Sequence, residues 1–171
     1  MAVRLVEDVL VDPNPEQPQG IIAAASQALA SMHAGEDTSA VERMTAFAEE
    51  RGREEATELM LMLFRECSAM VAALGSGGTA PVKMQVYDDD GKEVPIDEAD
   101  PPVRTAVRTL LAEVHGDTEA AKDQIEIALA NAAPAEMAMV MMQALRWTIK
   151  LAAECASRDL PVSPWITEAL N

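Results

Sequence analysis

The turn YDDDGKEVPID, residues 87 to 97, gathers the densest set of potential metal ligands in the chain. Asp88, Asp90, Gly91 and Asp97 fall at positions three, five, six and twelve of an EF-hand loop, where carboxylates wrap a hard cation and glycine makes the sharp turn. The fit is incomplete. Position one is Val86, position eight is Glu93 where an apolar residue belongs, and the flanking segments read as strands rather than helices. The motif is therefore expected to be an acidic hairpin tip in water, with no calcium.

His33 and His115 are the only histidines, and each lies close to an Asp within a shared His-Gly-Asp-Thr phrase. Two equivalent histidines could hold a metal, but a histidine at a helix C-terminus is also favoured by the free carbonyl groups there and needs no ligand. Cys67 and Cys155 lie on apolar stripes far apart in sequence and form no CxxC pair, so packing is expected of them rather than redox or nucleophilic chemistry. GSGGTAP at 75 to 81 lacks the lysine and the following helix of a phosphate-binding loop, and no serine stands in a nucleophile elbow. One Tyr, two Phe and two Trp offer few platforms for stacking bases. No pattern identifies a reaction, so no enzyme, catalytic residue, metal or other cofactor is expected.

Composition narrows the partners. Thirteen Lys and Arg against 29 Asp and Glu give a formal charge of −16, which repels nucleic acid and anionic lipid alike. No apolar run reaches the length of a membrane span. The start, MAVRLVEDVLV, has one Arg, two acids and no apolar run long enough for a signal core, so a reduced cytoplasmic setting is expected. With 49% hydrophobic but 3% aromatic residues, the core must be built from Ala, Leu, Val, Met and Ile, the side chains of closely packed helices.

The elements follow from periodicity. One domain spans 1–171. Residues 1–19 read as a strand over 3 to 11 and a loop rich in proline. A first three-helix unit occupies 20–75: Ile21, Ala25, Ala28, Leu29 and Met32 form the first stripe, and Ser39 with Glu42 has capping-box spacing for the second helix. The third is the strongest signal, stepping from Ala56 to Leu74 by threes and fours. Residues 76–100 read as a Gly-rich linker and an acidic β-hairpin that could pair with the N-terminal strand. A second three-helix unit occupies 101–157, and a short helix ends the chain over 158–171, with Ser163 as cap and Trp165 as anchor.

The two units read as a duplication. Val103, Val107, Leu110, Leu111, Val114 and His115 stand 82 residues after Ile21, Ala25, Ala28, Leu29, Met32 and His33, the loop then loses two residues, and the third helices match at 81. The expected architecture is a mainly α pseudo-twofold bundle, with the His-Gly-Asp-Thr phrase as a capped corner in each unit.

Two features point to function. LMLMLF at 59 to 64 and MAMVMM at 137 to 142 are apolar nearly all round and hold six of the eleven Met, which makes them the two central helices of the body or, in part, a homodimer or partner interface, with Leu61, Met62, Met139 and Met142 as its candidates. Asp88, Asp89, Asp90, Glu93, Asp97, Glu98 and Asp100, with Glu119, Asp123 and Glu126 on the fifth helix, are candidates for an acidic face that meets a basic protein partner. The expected role is non-enzymatic protein–protein contact, with self-association. The alternatives are a DNA mimic, presenting charge at about the duplex density of one per 1.7 Å, and a helical domain holding a small ligand between its units.

Overall fold

A computed structural model describes residues 16–75 and 84–171. The expected N-terminal strand and most of the Gly-rich linker lie outside the described residues. Those described form α1 (Glu16–His33), α2 (Asp37–Arg51), α3 (Arg53–Leu74), β1 (Val86–Tyr87), β2 (Glu93–Val94), one 3₁₀ turn (Ile96–Glu98), α4 (Pro101–Val114), α5 (Thr118–Asn131), α6 (Pro134–Ser157) and α7 (Pro164–Ala169). β1 and β2 pair antiparallel, with Val86 opposite Val94 and Tyr87 opposite Glu93. The protein is mainly helical with one small hairpin.

The two longest helices are central because they are the most apolar. α3 buries Leu59, Met60, Leu61, Leu63, Phe64 and Cys67, and packs against α6, which buries Val140, Met141, Ala144, Leu145 and Thr148. α1 pairs with α2, α4 with α5, and α4 also lies on α3 and α6. Ala25, Ala28, Ala40, Ala106, Ala121 and Ala144 are fully buried, and their lack of bulk lets helix backbones approach closely. Phe64 and Trp147 meet edge to face with ring centroids 6.4 Å apart across the α3–α6 seam.

Several ends differ from the sequence-based expectation. α1 starts at Glu16 rather than Gly20, because Pro18 stands in the first turn, where its missing N–H has no intrahelical partner to lose. α2 starts at Asp37 with Glu36 at its N-cap, so Ser39 lies inside the first turn and forms no capping box with Glu42. Ser163 precedes α7 but its hydroxyl donates to Glu66 Oε2 on α3, at 2.6 Å, instead of capping. The anchor of α7 is Ile166, fully buried, while Trp165 is only half-buried.

The turn after α1 and the turn after α4 use one backbone pattern. Gly35 N donates to Met32 O and Glu36 N to Ser31 O; Gly116 N donates to Glu113 O and Asp117 N to Ala112 O. Both glycines have positive φ, 86° and 78°, the left-handed conformation that reverses a helix end. The turns have equal length and stand 81 residues apart, not 82 before and 80 after. The shared letters are one place out of step: His33 closes α1, whereas His115 follows α4 as its C-cap.

The N-caps of the two corner helices are unequal. Asp117 Oδ1 accepts a hydrogen bond from Ala120 N at 3.0 Å, whereas the Glu36 side chain makes no capping bond. Asp117→Ala should therefore cost about 1 kcal/mol and Glu36→Ala almost nothing. Urea denaturation of the two variants checks this; equal losses would show that the aspartate cap contributes nothing special.

Candidate functional site

The acidic corner is built by the hairpin, the 3₁₀ turn and the start of α4. Asp88 Oδ1 accepts from the amides of Asp90 at 3.0 Å and Lys92 at 2.9 Å, and the amide of Asp88 donates to Lys92 O. An Asx turn of this kind occupies the carboxylate that the calcium reading would have used as a ligand. Asp97 is tied to α4: its carboxylate pairs with Arg108 and its carbonyl accepts from Arg104 Nη1. Asp89, Asp90, Glu93, Glu98 and Asp100 are exposed and form no ion pair among the described residues. Val86, Val94 and Val103 form the floor of a shallow cleft of about 410 Å³, with Asp88, Asp89, Glu98 and Asp100 around it. Tyr87 also contributes to the lining; it is 56% exposed, alternates with Val86 along β1 and donates its hydroxyl to Gln85 Oε1 at 2.8 Å. A cleft that mixes valines with carboxylates suits a cationic side chain with an apolar stem.

The acids of α5 are not part of that cleft. Glu119, Asp123 and Glu126 are exposed, but Glu126 pairs with Lys122 at 3.8 Å and faces a second crevice with Arg53, Glu54 and Glu58 at the start of α3. The ten candidate acids thus divide into two surfaces of different character. Arg53 and Lys122 partly neutralise the second.

The four candidate interface residues divide too. Leu61 is fully buried among the core residues, Met62 and Met142 are half-buried against it, and Met139 is 49% exposed. Leu61 therefore cannot meet a partner, since α3 is enclosed by neighbouring helices on that side. Ile127 on α5 is the other large aliphatic side chain left in water among the described residues.

His33 and His115 are both exposed, and the described residues contain no group of three or more His, Cys, Asp or Glu placed to hold a metal ion. No helix among them is long and apolar enough to cross a membrane.

Compared with known proteins, the chain matches no family model, no curated protein and no solved structure.

Two further places escape a reading of the sequence. The first is a groove of about 320 Å³ walled by Val71 of α3, Leu110 and Val114 of α4, and Trp147 and Leu151 of α6, with Met84 beside it and Lys150 on its rim. The second is Glu113, whose side chain is only 6% exposed; its Oε1 lies 3.9 Å from Arg65 Nε, too far for a hydrogen bond, and has no other partner. Burial pushes the Glu113 carboxyl above its ordinary range, and the Arg65 guanidinium only partly opposes this.

A carboxyl whose folded pKa is raised favours the folded state only while protonated. That contribution is complete below the unfolded value of about 4.3 and is lost as the pH rises from there to the raised folded value. At neutral pH Glu113 is a standing cost. Met32 occupies the matching place in the first corner, its carbonyl bonded to Gly35 as that of Glu113 is to Gly116. Glu113→Met should therefore stabilise the protein by about 1–2 kcal/mol at pH 7, with the gain shrinking towards pH 4. Urea midpoints at the two pH values check it, and a variant less stable at pH 7 would refute the assignment.

Proposed function

We propose that the chain is an internally duplicated helical scaffold that works by protein–protein contact, without catalysis, and that its hairpin cleft receives a basic segment of a partner. The observation that carries the contact reading is the cleft itself: half-buried Val86, Val94 and Val103 lined together with Asp88, Asp89, Glu98 and Asp100. Charge alone would solubilise a protein, but half-buried valines among carboxylates add an apolar surface that the stem of a cationic side chain can cover. The duplication is supported by the paired starts of α2 and α5, and of α3 and α6, each 81 residues apart. It is supported further by Cys67 and Thr148, also 81 apart, whose side chains touch at 3.3 Å. Residues related by a twofold axis meet one another only on that axis, so this contact marks where it would cross the α3–α6 seam.

Self-association belongs to the proposal in reduced form, through Met139 with Met62 and Met142; light scattering that finds a monomer at every concentration removes it. A reducing cytoplasmic setting is likewise proposed, supported by two free thiols.

The cleft is tested with a labelled peptide of alternating Lys and Leu. Neutralising Asp89, Glu98 and Asp100 to their amides should weaken binding at least about ten-fold, and binding should fall steeply with salt. Neutralising Glu119, Asp123 and Glu126 removes the same charge elsewhere and should change it little. Equal losses from both sets would reduce the effect to net charge and dismiss the cleft.

A further inference from the structure

The groove between α3, α4 and α6 has a counterpart, and the counterpart is filled. At the spacing of 81, Val71 corresponds to Ala152, Leu110 to Leu29, Val114 to His33, Trp147 to Glu66 and Leu151 to Met70. Those counterparts form the face that α7 covers. Ala152 and His33 line a small gap together with Val162, Thr167 and Leu170; Ser163 bonds to Glu66; and α7 packs along α1 with Ile166 in the core. Under that cover Leu29, Met70 and Ala152 are buried. On the other side Val71, Val114, Trp147 and Leu151 are only half-buried, and the described residues that stand 81 before α7, 84 to 88, belong to the hairpin rather than to a second such helix.

We infer that the groove of Val71, Leu110, Val114, Trp147 and Leu151 is a docking site for a short amphipathic helix of a partner protein, seated as α7 is seated on the matching face. The occupant presents two apolar residues at i and i+4, the spacing of Ile166 and Leu170, which places both on one side of a helix. It also carries a carboxylate. Among the described residues Lys150 beside the groove forms no ion pair and no carboxylate lines the groove, whereas both the hairpin cleft and the α3–α5 crevice are lined with acids. In a chain with 29 acidic residues this is the apolar surface where an acidic partner meets attraction.

The inference rests on the duplication proposed above, and the two can fail separately. The probe is an acetylated, fluorescein-labelled peptide of residues 158 to 171, added to the full chain and followed by anisotropy. Saturable binding in the micromolar range is expected, weakened at least ten-fold by Val114→Asp and several-fold by Lys150→Glu, and abolished by Ile166→Asp with Leu170→Asp in the peptide. Lys150 is exposed, so its variant folds and decides the matter if Val114→Asp does not. No saturation, binding indifferent to both groove variants, or uptake of decanoate in place of the peptide would each overturn the site. Superposing residues 20–74 on 101–155 in a crystal structure reads the duplication alone. A close superposition with no peptide binding overturns the docking site and leaves the duplication standing. A poor one with Val114-dependent binding supports the site by itself.

Discussion

Phe64→Ala is expected to cost about 3–5 kcal/mol, the range for deleting a fully buried aromatic ring. Against a total stability on the order of 5–15 kcal/mol, that is a large share, and the melting midpoint should fall by about 10 °C. The ring sits at the centre of the α3–α6 seam and loses its edge-to-face contact with Trp147 in addition to its burial. The space cannot close by local collapse, because Leu59, Leu63 and Leu145 around it belong to helices held at close range by buried alanines. Thermal denaturation followed by circular dichroism measures the shift. A fall of less than about 2 °C would mean that the seam is not the structural centre of the fold.

Both thiols are expected to be silent in the native protein. Cys67 is fully buried, and burial pushes its thiol up to about 12; the nearby charge of Glu66 adds to the rise, and the hydrogen bond with Thr148 lowers it only in part. At pH 7 such a group holds roughly a thousand-fold less thiolate than an exposed cysteine. Cys155 is also buried, with its Sγ 3.9 Å from Met70 O, and burial raises it too. Ellman's reagent should find no thiol in the folded chain and two in denaturant. In Phe64→Ala the reaction should speed up, because reaction then passes through opening and the open population rises with the loss of stability. A native thiol that reacts within seconds would place that cysteine at the surface and undo the reading of the seam.

The fold was legible where the pattern was long and apolar. From Ala56 to Leu74, and again from Met137 to Leu151, the steps of three and four admit only an amphipathic or buried helix, and these are the central helices. The Asp-Gly hairpin was legible because Gly91 adopts a positive φ of 79° that a turn there requires. The corner glycines could be read for the same reason. The register of the repeat was not. Matching apolar letters set Val103, Leu111 and Val114 against Ile21, Leu29 and Met32, whereas the inward stripe of α4 is Pro102, Ala106, Val107, Thr109, Leu110 and Glu113. Two of those are polar: Thr109 hides its hydroxyl by donating to Thr105 O, and Glu113 is buried at a cost. A comparison of hydrophobic letters skips such positions and slips by one.

The acidic corner illustrates a second limit. Every residue of the run from Asp88 to Asp100 could be named from the sequence, but which carboxylates are engaged depends on what lies beside them. Asp88 turns back on its own amides, a local matter within four residues. Asp97 is claimed by Arg108 eleven residues on, and Glu126 faces α3 across the bundle. Local order follows from dihedral preference and short-range hydrogen bonds, whereas pairing across elements requires the chain to be packed first.

Sequence alone therefore determined that this protein is mainly helical, with a methionine-rich centre, an acidic hairpin and a strong negative charge. These depend on periodicity, glycine conformation and composition, which neighbours in the chain decide among themselves. Tertiary structure decided which apolar residues stay outside. Leu61 vanishes into the core while Met139 remains half in water, and Ile166 of α7 is sealed into the core while Val71, Val114, Trp147 and Leu151 stay half-buried beside Lys150. Burial is a property of packed helices, set by what each helix meets across the seam, and no single stretch of chain contains it.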